Sequence, residues 1–205
     1  MYNKSLEEFS KLTASKQPVP GGGGVCANVG ALASALGEMV TNLTIGKVKY
    51  IQYTDELNSI KKELEILRIN LLDCINRDAQ SFEPLAIAYK KDKNDPDYES
   101  VMEESLKVAA SSPLLILKYC TRIVDLDERL AVIGSKISVS DAATSVMLAH
   151  GAMYGAYVNI LVNTQLMKNK DNAKIFEDEA VKLLDEYSVK ALNIFDDICK
   201  RLTNG

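Results

Sequence analysis

Residues 18–50 read PVPGGGGVCANVGALASALGEMVTNLTIGKVKY. Two prolines and the four glycines Gly21–Gly24 lead without a break into a segment of helix length. One side of this segment carries large apolar residues at steps of three and four, the spacing of one α-helix face: Val25, Val29, Leu32, Leu36, Met39 and Leu43. A second line consists of small residues: Ala27, Gly30, Ala31, Ser34 and Gly37. Because neighbours can approach such a helix closely on both sides, we predict that it is the central helix of the fold.

The predicted central helix contains two glycines and ends in a group of cations. A glycine inside a helix costs up to about 1 kcal/mol relative to alanine, so we expect Gly30 and Gly37 to allow close helix contact or approach of a substrate. Lys47 and Lys49 follow the helix and are succeeded by Tyr50. The stretch therefore joins a glycine loop at one end to a basic cluster at the other.

The glycine run does not match a nucleotide-binding loop. A phosphate-binding P-loop requires Lys-Ser or Lys-Thr after its glycines and a strand before them, and neither is present. A dinucleotide fingerprint requires a βαβ unit, and the first twenty residues offer none. The run by itself leaves two interpretations open, a flexible entry to a helix or a loop that binds a ligand.

Composition indicates one ordinary globular domain over residues 1–205, with 47% hydrophobic and 25% charged residues. The net charge of −4 argues against a nucleic-acid partner. No stretch approaches the uncharged apolar length that spans a membrane, and the opening MYNKSLEEFSKL lacks the apolar core of a signal peptide, so we expect a cytoplasmic protein. The four cysteines are far apart and there is one histidine, so we expect buried free thiols and no metal site.

Helical periodicity recurs along the whole chain, and no segment reads as a strand. Pro113 lies inside one of the predicted helices and is expected to kink it or to restart it at Ser111-Ser112. The predicted helices cover residues 5–15, 25–43, 55–90, 96–125, 126–134 (ending at Gly134), 142–167 and 176–202. The sequence therefore predicts an all-α fold, an up-and-down bundle of long helices with a glycine-rich loop before the central helix.

Asp78 is the residue that fits its helix least well. It lies on the apolar line formed by Leu71, Ile75 and Phe82, where a charge is costly unless it is paired or functional. A functional carboxylate, a structural ion pair and a half-exposed edge of the stripe all remain open.

Two further polar pairs allow both a structural and a functional interpretation. Ser140-Asp141 opens a predicted helix and would serve as its N-cap. Asn159 and Asn163, one turn apart on the same helix, must be hydrogen-bonded, either to another helix or to a ligand.

Several motifs together resemble the cyclodeaminase/cyclohydrolase family, which comprises the cyclodeaminase domain of formiminotransferase-cyclodeaminase and stand-alone methenyltetrahydrofolate cyclohydrolases. The similar segments are P-x-P-G-G-G, N-L-T-I-G-K-x-K-Y over residues 42–50, D-A-x-x-F from Asp78, A-A-x-x-P over 109–113, Ser140-Asp141, and G-A-x-x-N with Asn163. One departure is visible: where the family prefers G-N-x-N, this chain keeps Gly134 but has Ser135 and Ile137. That change puts the substrate hydrogen bonds of this loop in doubt.

The resemblance implies a helical homodimer that binds a tetrahydrofolate derivative as its substrate and needs no cofactor. It implies Asp78, Lys47 and Lys49 as catalytic residues, and it implies a set of substrate-binding residues: Gly21, Gly22, Gly23, Tyr50, Ser140, Asp141, Asn159 and Asn163. Because no formiminotransferase segment accompanies these residues, cyclohydrolase activity is expected. The alternatives are formiminotetrahydrofolate cyclodeaminase activity and a non-catalytic folate-binding protein.

The chemistry is compatible with these residues, although the roles of the lysines stay open. Asp78 can act as a base or as the partner of a cation. Lys47 or Lys49 can act as an acid, stabilise an intermediate or hold glutamyl carboxylates. If the helices before and after Tyr50 form a hairpin, Asp78 lies roughly 35 Å from the turn beside Lys47. Either the second helix breaks before Asp78, or one site is shared across a dimer interface, and the shared site is the prediction favoured here.

Overall fold

The computed structural model describes residues 3–204 of the chain. It contains six α-helices and one 3-10 helix: α1 (Leu6–Thr13), α2 (Gly22–Thr44), the 3-10 helix Val48–Tyr53, α3 (Thr54–Ala88), α4 (Tyr98–Ile133), α5 (Val139–Thr164) and α6 (Lys170–Thr203). Within residues 3–204 there is no strand. The predicted all-α fold class is confirmed.

Helix α2 is central, as predicted, because it packs against α3, α4 and α5. Its small-residue side is buried in these contacts, and its two internal glycines explain how closely the neighbours approach. A Cβ atom added to Gly30 would lie 2.9 Å from Sγ of Cys120, and one added to Gly37 would lie 2.8 Å from a methyl carbon of Leu64. Close helix contact is therefore what these glycines allow.

The large apolar side of α2 is only partly covered within the chain, since Val29 packs against the core whereas three other residues of this side stay exposed. Leu32, Met39 and Leu43 keep 41–50% of their surface exposed. Helix α5, the antiparallel neighbour of α2, adds further exposed apolar side chains beside them. We call this surface the apolar α2–α5 face and define it by six residues: Leu32, Met39, Leu43, Tyr154, Val158 and Val162. The small residues Ala149, Ala152 and Ala156 of α5 are instead buried within one chain.

Helices α2 and α5 are each long and apolar enough to cross a membrane by length and composition alone. The expectation from sequence that no stretch approaches this limit was wrong, because α2 carries a single charge, Glu38, in 23 residues. In the bundle, 56% of the most apolar window of α2 and 39% of that of α5 are buried. Core helices pass the same test, so these two helices are weak evidence for a membrane span.

Helix α4 is a single helix through Pro113, which corrects the predicted restart at Ser111-Ser112 and the separate helix 126–134. Proline has no N–H to donate to the carbonyl four residues earlier, here that of Ala109. The side chain of Asn163 on α5 lies across this gap, with Nδ2 donating to the Ala109 carbonyl oxygen at 3.4 Å. A neighbouring helix therefore supplies the hydrogen bond that Pro113 removes.

Helix α5 begins at Val139 with Ser138 at its N-cap, so Ser140 and Asp141 lie in its first turn and are not the cap pair.

Helix α3 runs without a break from Thr54 to Ala88. One of the two predicted ways to bring Asp78 near Lys47, a break in this helix before Asp78, is therefore wrong.

Candidate active site

A cavity of about 190 Å³ opens at the N-terminal end of α2. It is lined by the loop before α2 and by residues of α3, α4 and α5. Six residues predicted from sequence line it together: Gly21, Gly22, Gly23, Asp78, Asn159 and Asn163. Seven further lining residues were not among the predicted site residues: Pro18, Val19, Ser81, Phe82, Ala109, Pro113 and Val162.

The glycine run is the reason that Asp78 can occupy this place. A Cβ atom on Gly23 would lie 2.6 Å from Cγ and 2.7 Å from Oδ2 of Asp78, and closer still to Oδ1. The carboxylate therefore rests against bare backbone at the start of α2, where the helix dipole favours a negative charge. Of the two interpretations left open by the sequence, a flexible entry alone does not account for this contact.

The Asp78 carboxyl is partly buried and is hydrogen-bonded to the backbone of α2. Burial raises the pKa of this carboxyl, and a backbone hydrogen bond from Gly24 acts in the opposite direction. Among residues 3–204, no lysine, arginine or histidine lies within ion-pair distance of it. Within one chain, Asp78 is therefore not half of an ion pair.

Asn159 and Asn163 use their amide nitrogens within the protein. Nδ2 of Asn159 donates to the Gly155 carbonyl at 2.8 Å, and Nδ2 of Asn163 donates to the Asn159 carbonyl at 2.8 Å as well as to Ala109. In the described part of the chain, neither amide oxygen accepts a hydrogen bond. Together with Asp78 they make the cavity rich in acceptors, which suits a ligand that is cationic or carries several N–H groups.

The predicted basic residues lie at the other end of α2 and form what we call the lysine cluster: Lys47, Lys49 and Tyr50. Nζ of Lys47 donates to Oγ of Ser135 at 2.8 Å. The hydroxyl of Tyr50 accepts the backbone N–H of Lys136 at 3.2 Å, and Nζ of Lys49 lies 5.7 Å from the centre of the Tyr50 ring.

The first turn of α5, which carries Ser140 and Asp141, begins at this same end of the bundle, a few residues after Ser135. The structure therefore places both residues with the lysine cluster and away from the Asp78 cavity.

The predicted site residues thus fall into two groups separated by the length of α2. At about 1.5 Å per residue, this 23-residue helix is about 35 Å long. Asp78 contacts Gly23 at its first turn, whereas Lys47 follows its last turn. Within one chain, Asp78 and Lys47 do not share a site.

The fold and the cavity define a class of all-helical protein in which a carboxylate rests on a glycine-rich helix start. Residues 5–182 match the family model described as formiminotransferase-cyclodeaminase. The chain belongs to the formiminotransferase-cyclodeaminase family.

Relatives within this family carry two kinds of name. The chain is 34% identical to methenyltetrahydrofolate cyclohydrolase of Methylorubrum extorquens over 187 residues, which cover 89% of this chain and 88% of that protein. It is 26% identical to formimidoyltransferase-cyclodeaminase of Rattus norvegicus over 171 residues, which cover 82% of this chain and 32% of that protein. The chain therefore spans about a third of the rat protein.

A solved structure shows the same architecture. Formiminotetrahydrofolate cyclodeaminase from Thermotoga maritima matches with a TM-score of 0.84 and 30% identity, covering 97% of this chain and 95% of that chain. The agreement extends over nearly all of both chains, so the bundle described above is the fold of this family.

Proposed function

We propose that this protein is a methenyltetrahydrofolate cyclohydrolase, which interconverts 5,10-methenyltetrahydrofolate and 10-formyltetrahydrofolate. The observation that carries the proposal is Asp78, a half-buried carboxylate without a cationic partner in the described chain, set in a cavity rich in acceptors. The 34% identity to a protein named as this enzyme, over 88% of its length, supports the same activity.

Asp78 suits both the charge and the proton transfers of this reaction. The methenyl carbon belongs to a cationic amidinium, so a carboxylate stabilises its approach. Water adds to this carbon and gives up a proton; the bond from the carbon to N5 then breaks, N5 takes up a proton and the hydroxyl oxygen loses one as the formyl group forms. A pKa raised by burial makes Asp78 a stronger base for the first of these steps. A positioned proton transfer contributes typically about 10²–10⁴-fold to the rate.

We propose that the reaction proceeds without a metal ion or other cofactor. The amidinium is already electrophilic and does not require a Lewis acid. Within residues 3–204, no group of three His, Cys, Asp or Glu side chains is placed to hold a metal ion, which supports this part of the proposal.

A homodimer with shared sites would reunite the two groups of residues. The apolar α2–α5 face is the surface that we propose for the dimer, because its large apolar side chains are exposed in one chain. In a two-fold dimer the same patch meets itself. If the axis passes near Leu32, in the middle of α2, the two copies of this helix lie antiparallel. Lys47 of the partner subunit then comes to the Asp78 cavity.

The size of the cavity favours the same arrangement. At about 190 Å³ it is smaller than the roughly 300–1,000 Å³ of typical small-molecule sites. We propose that the cavity holds the reacting part of the folate and that the partner subunit provides the rest of the folate-binding site.

We also propose a cytoplasmic protein without nucleic-acid or membrane partners, which the net charge of −4 and the partial burial of α2 and α5 support.

Formiminotetrahydrofolate cyclodeaminase activity is the second candidate, favoured by the Thermotoga maritima structure of that name. The test follows the loss of methenyltetrahydrofolate absorbance against its spontaneous hydrolysis, and in parallel the release of ammonia from 5-formiminotetrahydrofolate. We expect accelerated hydrolysis of the first substrate by the wild type and not by Asp78→Asn. Background rates on both substrates, despite binding of a folate, would instead indicate a non-catalytic folate-binding protein.

Treatment of the protein with EDTA tests the metal-free part. We expect the rate on methenyltetrahydrofolate to stay unchanged. A fall to the background rate that added Zn²⁺ or Mg²⁺ restores would show that a metal ion is required.

Subunit mixing tests the shared site. Inactive Lys47→Met and Asp78→Asn proteins are mixed under conditions of proven subunit exchange. Half of the dimers become mixed and each rebuilds one of its two sites, so we expect up to about a quarter of wild-type activity. If no activity is recovered, the shared site is wrong, but the proposed cyclohydrolase activity is not affected by that result.

A further inference from the structure

We propose that Ser135 is a positioning residue for Lys47, holding its ammonium group in place without neutralising its charge. This inference rests on the proposed function, since it assigns the position of a group that acts on the folate. The contact that carries it is the 2.8 Å hydrogen bond from Nζ of Lys47 to Oγ of Ser135.

Ser135 is itself rigidly held. Only 2% of its surface is exposed. Its backbone N–H donates to Oγ1 of Thr44 at 2.8 Å, and its carbonyl accepts the N–H of Ser138 at 2.9 Å. Thr44 lies in the last turn of α2 and is buried, with its hydroxyl donating to the Val40 carbonyl at 2.7 Å. The hydroxyl of Ser135 is therefore fixed relative to the end of the central helix.

The backbone at Gly134, directly before Ser135, is closely packed. A Cβ atom on Gly134 would lie 3.0 Å from Cγ1 of Val40 and would collide with the carbonyl oxygen of Leu130. The chain therefore passes closely over α2 and α4 at this point, and the place of the Ser135 hydroxyl follows from packing as well as from hydrogen bonds.

The backbone of Lys47 is held in a turn after Gly46, whose φ is +82°: its N–H donates to the Thr44 carbonyl at 3.3 Å and its carbonyl accepts the N–H of Tyr50 at 2.9 Å. The long lysine side chain has many rotamers and loses entropy when it is fixed, so its ammonium group needs an anchor of its own. One strong acceptor in a fixed place reduces the positions that Nζ occupies. An ammonium group has three donors, so two remain for a ligand.

A hydroxyl anchors this ammonium without cancelling its charge. Other lysines of the chain show the alternative: Lys91 bridges two aspartates and Lys190 bridges Asp125 and Glu128. Lys47 contacts no carboxylate in the described residues. Its full positive charge thus stays available for an anionic substrate group or for negative charge that develops during the reaction.

The position also explains how the chain differs from the motif that it resembles. Ser135 stands where G-N-x-N has its first asparagine, and its side-chain oxygen is used as an acceptor for Lys47. Ile137, at the second asparagine position, is 83% exposed and makes no comparable contact. The loop therefore keeps one polar function, and this function is directed to Lys47.

The first test measures the contact between Lys47 and Ser135 in the absence of any folate. Acetic anhydride labels amines, and peptide mass spectrometry gives the labelling rate of Lys47 in each variant. We expect Ser135→Ala to raise this rate several-fold, Ser135→Thr to retain the low wild-type rate, and Ser138→Ala to leave it unchanged. Ser138 is the matched control because it is a buried serine of the same loop that does not touch Lys47. Equal labelling of Lys47 in wild type and Ser135→Ala would overturn the proposal, whatever reaction the protein catalyses.

The second test reads the consequence in turnover. A misplaced catalytic group can lose about 10²-fold, so we expect Ser135→Ala to lower kcat by about 10- to 100-fold if Lys47 acts in the reaction. We expect an increase in KM instead if Lys47 holds the glutamyl carboxylates. In either case we expect Ser135→Thr, which keeps a hydroxyl, to have the kcat and KM of the wild type.

Measurements in a Lys47→Met background separate positioning from general structure. Wild type, the two single variants and the double variant are compared by their affinity for 5-formyltetrahydrofolate, which is used as the probe. Residues that act as a unit give non-additive effects, so Ser135→Ala should add no further loss once Lys47 is absent. Independent, multiplying losses, or an equal loss in Ser138→Ala, would overturn the inference. Absence of wild-type turnover would instead count against the proposed function, while the labelling result still decides the role of Ser135.

Discussion

Gly23→Ala is the sharpest test of the contact that defines the candidate site. The added Cβ would lie 2.6 Å from Cγ and 2.7 Å from Oδ2 of Asp78, against a normal contact of about 3.4 Å or more. The whole carboxylate must therefore move by roughly 1 Å. A displacement of this size at a catalytic group can cost about 10²-fold. We expect kcat on methenyltetrahydrofolate to fall by about 100-fold.

The stability of the same variant is expected to change much less. Alanine is favoured over glycine in a helix by up to about 1 kcal/mol, which offsets part of the strain. Gly24→Ala is the matched control in the same turn: its Cβ would lie 3.3 Å from Cβ of Pro20 and 3.8 Å from Oδ2 of Asp78, and it keeps the backbone N–H. We expect its activity to stay within about threefold of wild type, because the carboxylate need not move.

The assay is the absorbance loss of methenyltetrahydrofolate, with circular dichroism and thermal melting to confirm folding. Combining Gly23→Ala with Asp78→Asn should lower activity no further than Asp78→Asn alone, because both changes act on one carboxylate. A folded Gly23→Ala protein with more than about a third of wild-type activity would refute the reasoning, since it would show that the place of Asp78 does not matter.

Two further predictions concern the core and the interface. The Asp127 side chain is fully buried. Its Oδ2 accepts a hydrogen bond from Oγ of Ser145 at 2.6 Å, whereas its Oδ1 has no partner in the described chain. Burial raises the pKa of this carboxyl well above its ordinary value. A raised folded-state pKa contributes stability below the unfolded value near 4 that is lost as pH rises. The melting temperature of Asp127→Asn relative to wild type should therefore increase as the pH is raised above 4, and parallel curves would contradict this. Leu32→Glu should give a folded monomer by light scattering with no turnover, because Leu32 is half exposed in one chain; a fully active monomer would show that the site is not shared.

The sequence was sufficient to predict most of the helices and six residues that line the Asp78 cavity, because each of these predictions rests on a local rule. Periodicity identified α2, and a carboxylate on an apolar line identified Asp78. The side of α2 that faces the core was not predictable in this way. Large residues usually point inward, but here the small side is buried and Leu32 and Met39 are exposed.

Long-range contacts account for the errors. Pro113 was expected to interrupt its helix, and nothing near it in sequence indicates that the amide of Asn163 replaces the missing hydrogen bond. Ser135 was read as the loss of an asparagine, since its contact with Lys47 joins positions that are 88 residues apart. Such pairs form only when helices far apart in sequence pack together, and a local pattern carries no signal for them.

In the proposed dimer, the length of α2 would link catalysis to assembly. The helix carries the Asp78 cavity at its first turn and the lysine cluster after its last, about 35 Å away. Its exposed apolar side runs between these two ends, so one antiparallel contact would bury that side and bring each cavity to a lysine cluster at once. The two properties should then be lost together in a variant of the apolar α2–α5 face and regained together when the face is restored. If a variant separates them and keeps turnover without the dimer, Asp78 works with its own chain alone and the lysine cluster serves another purpose.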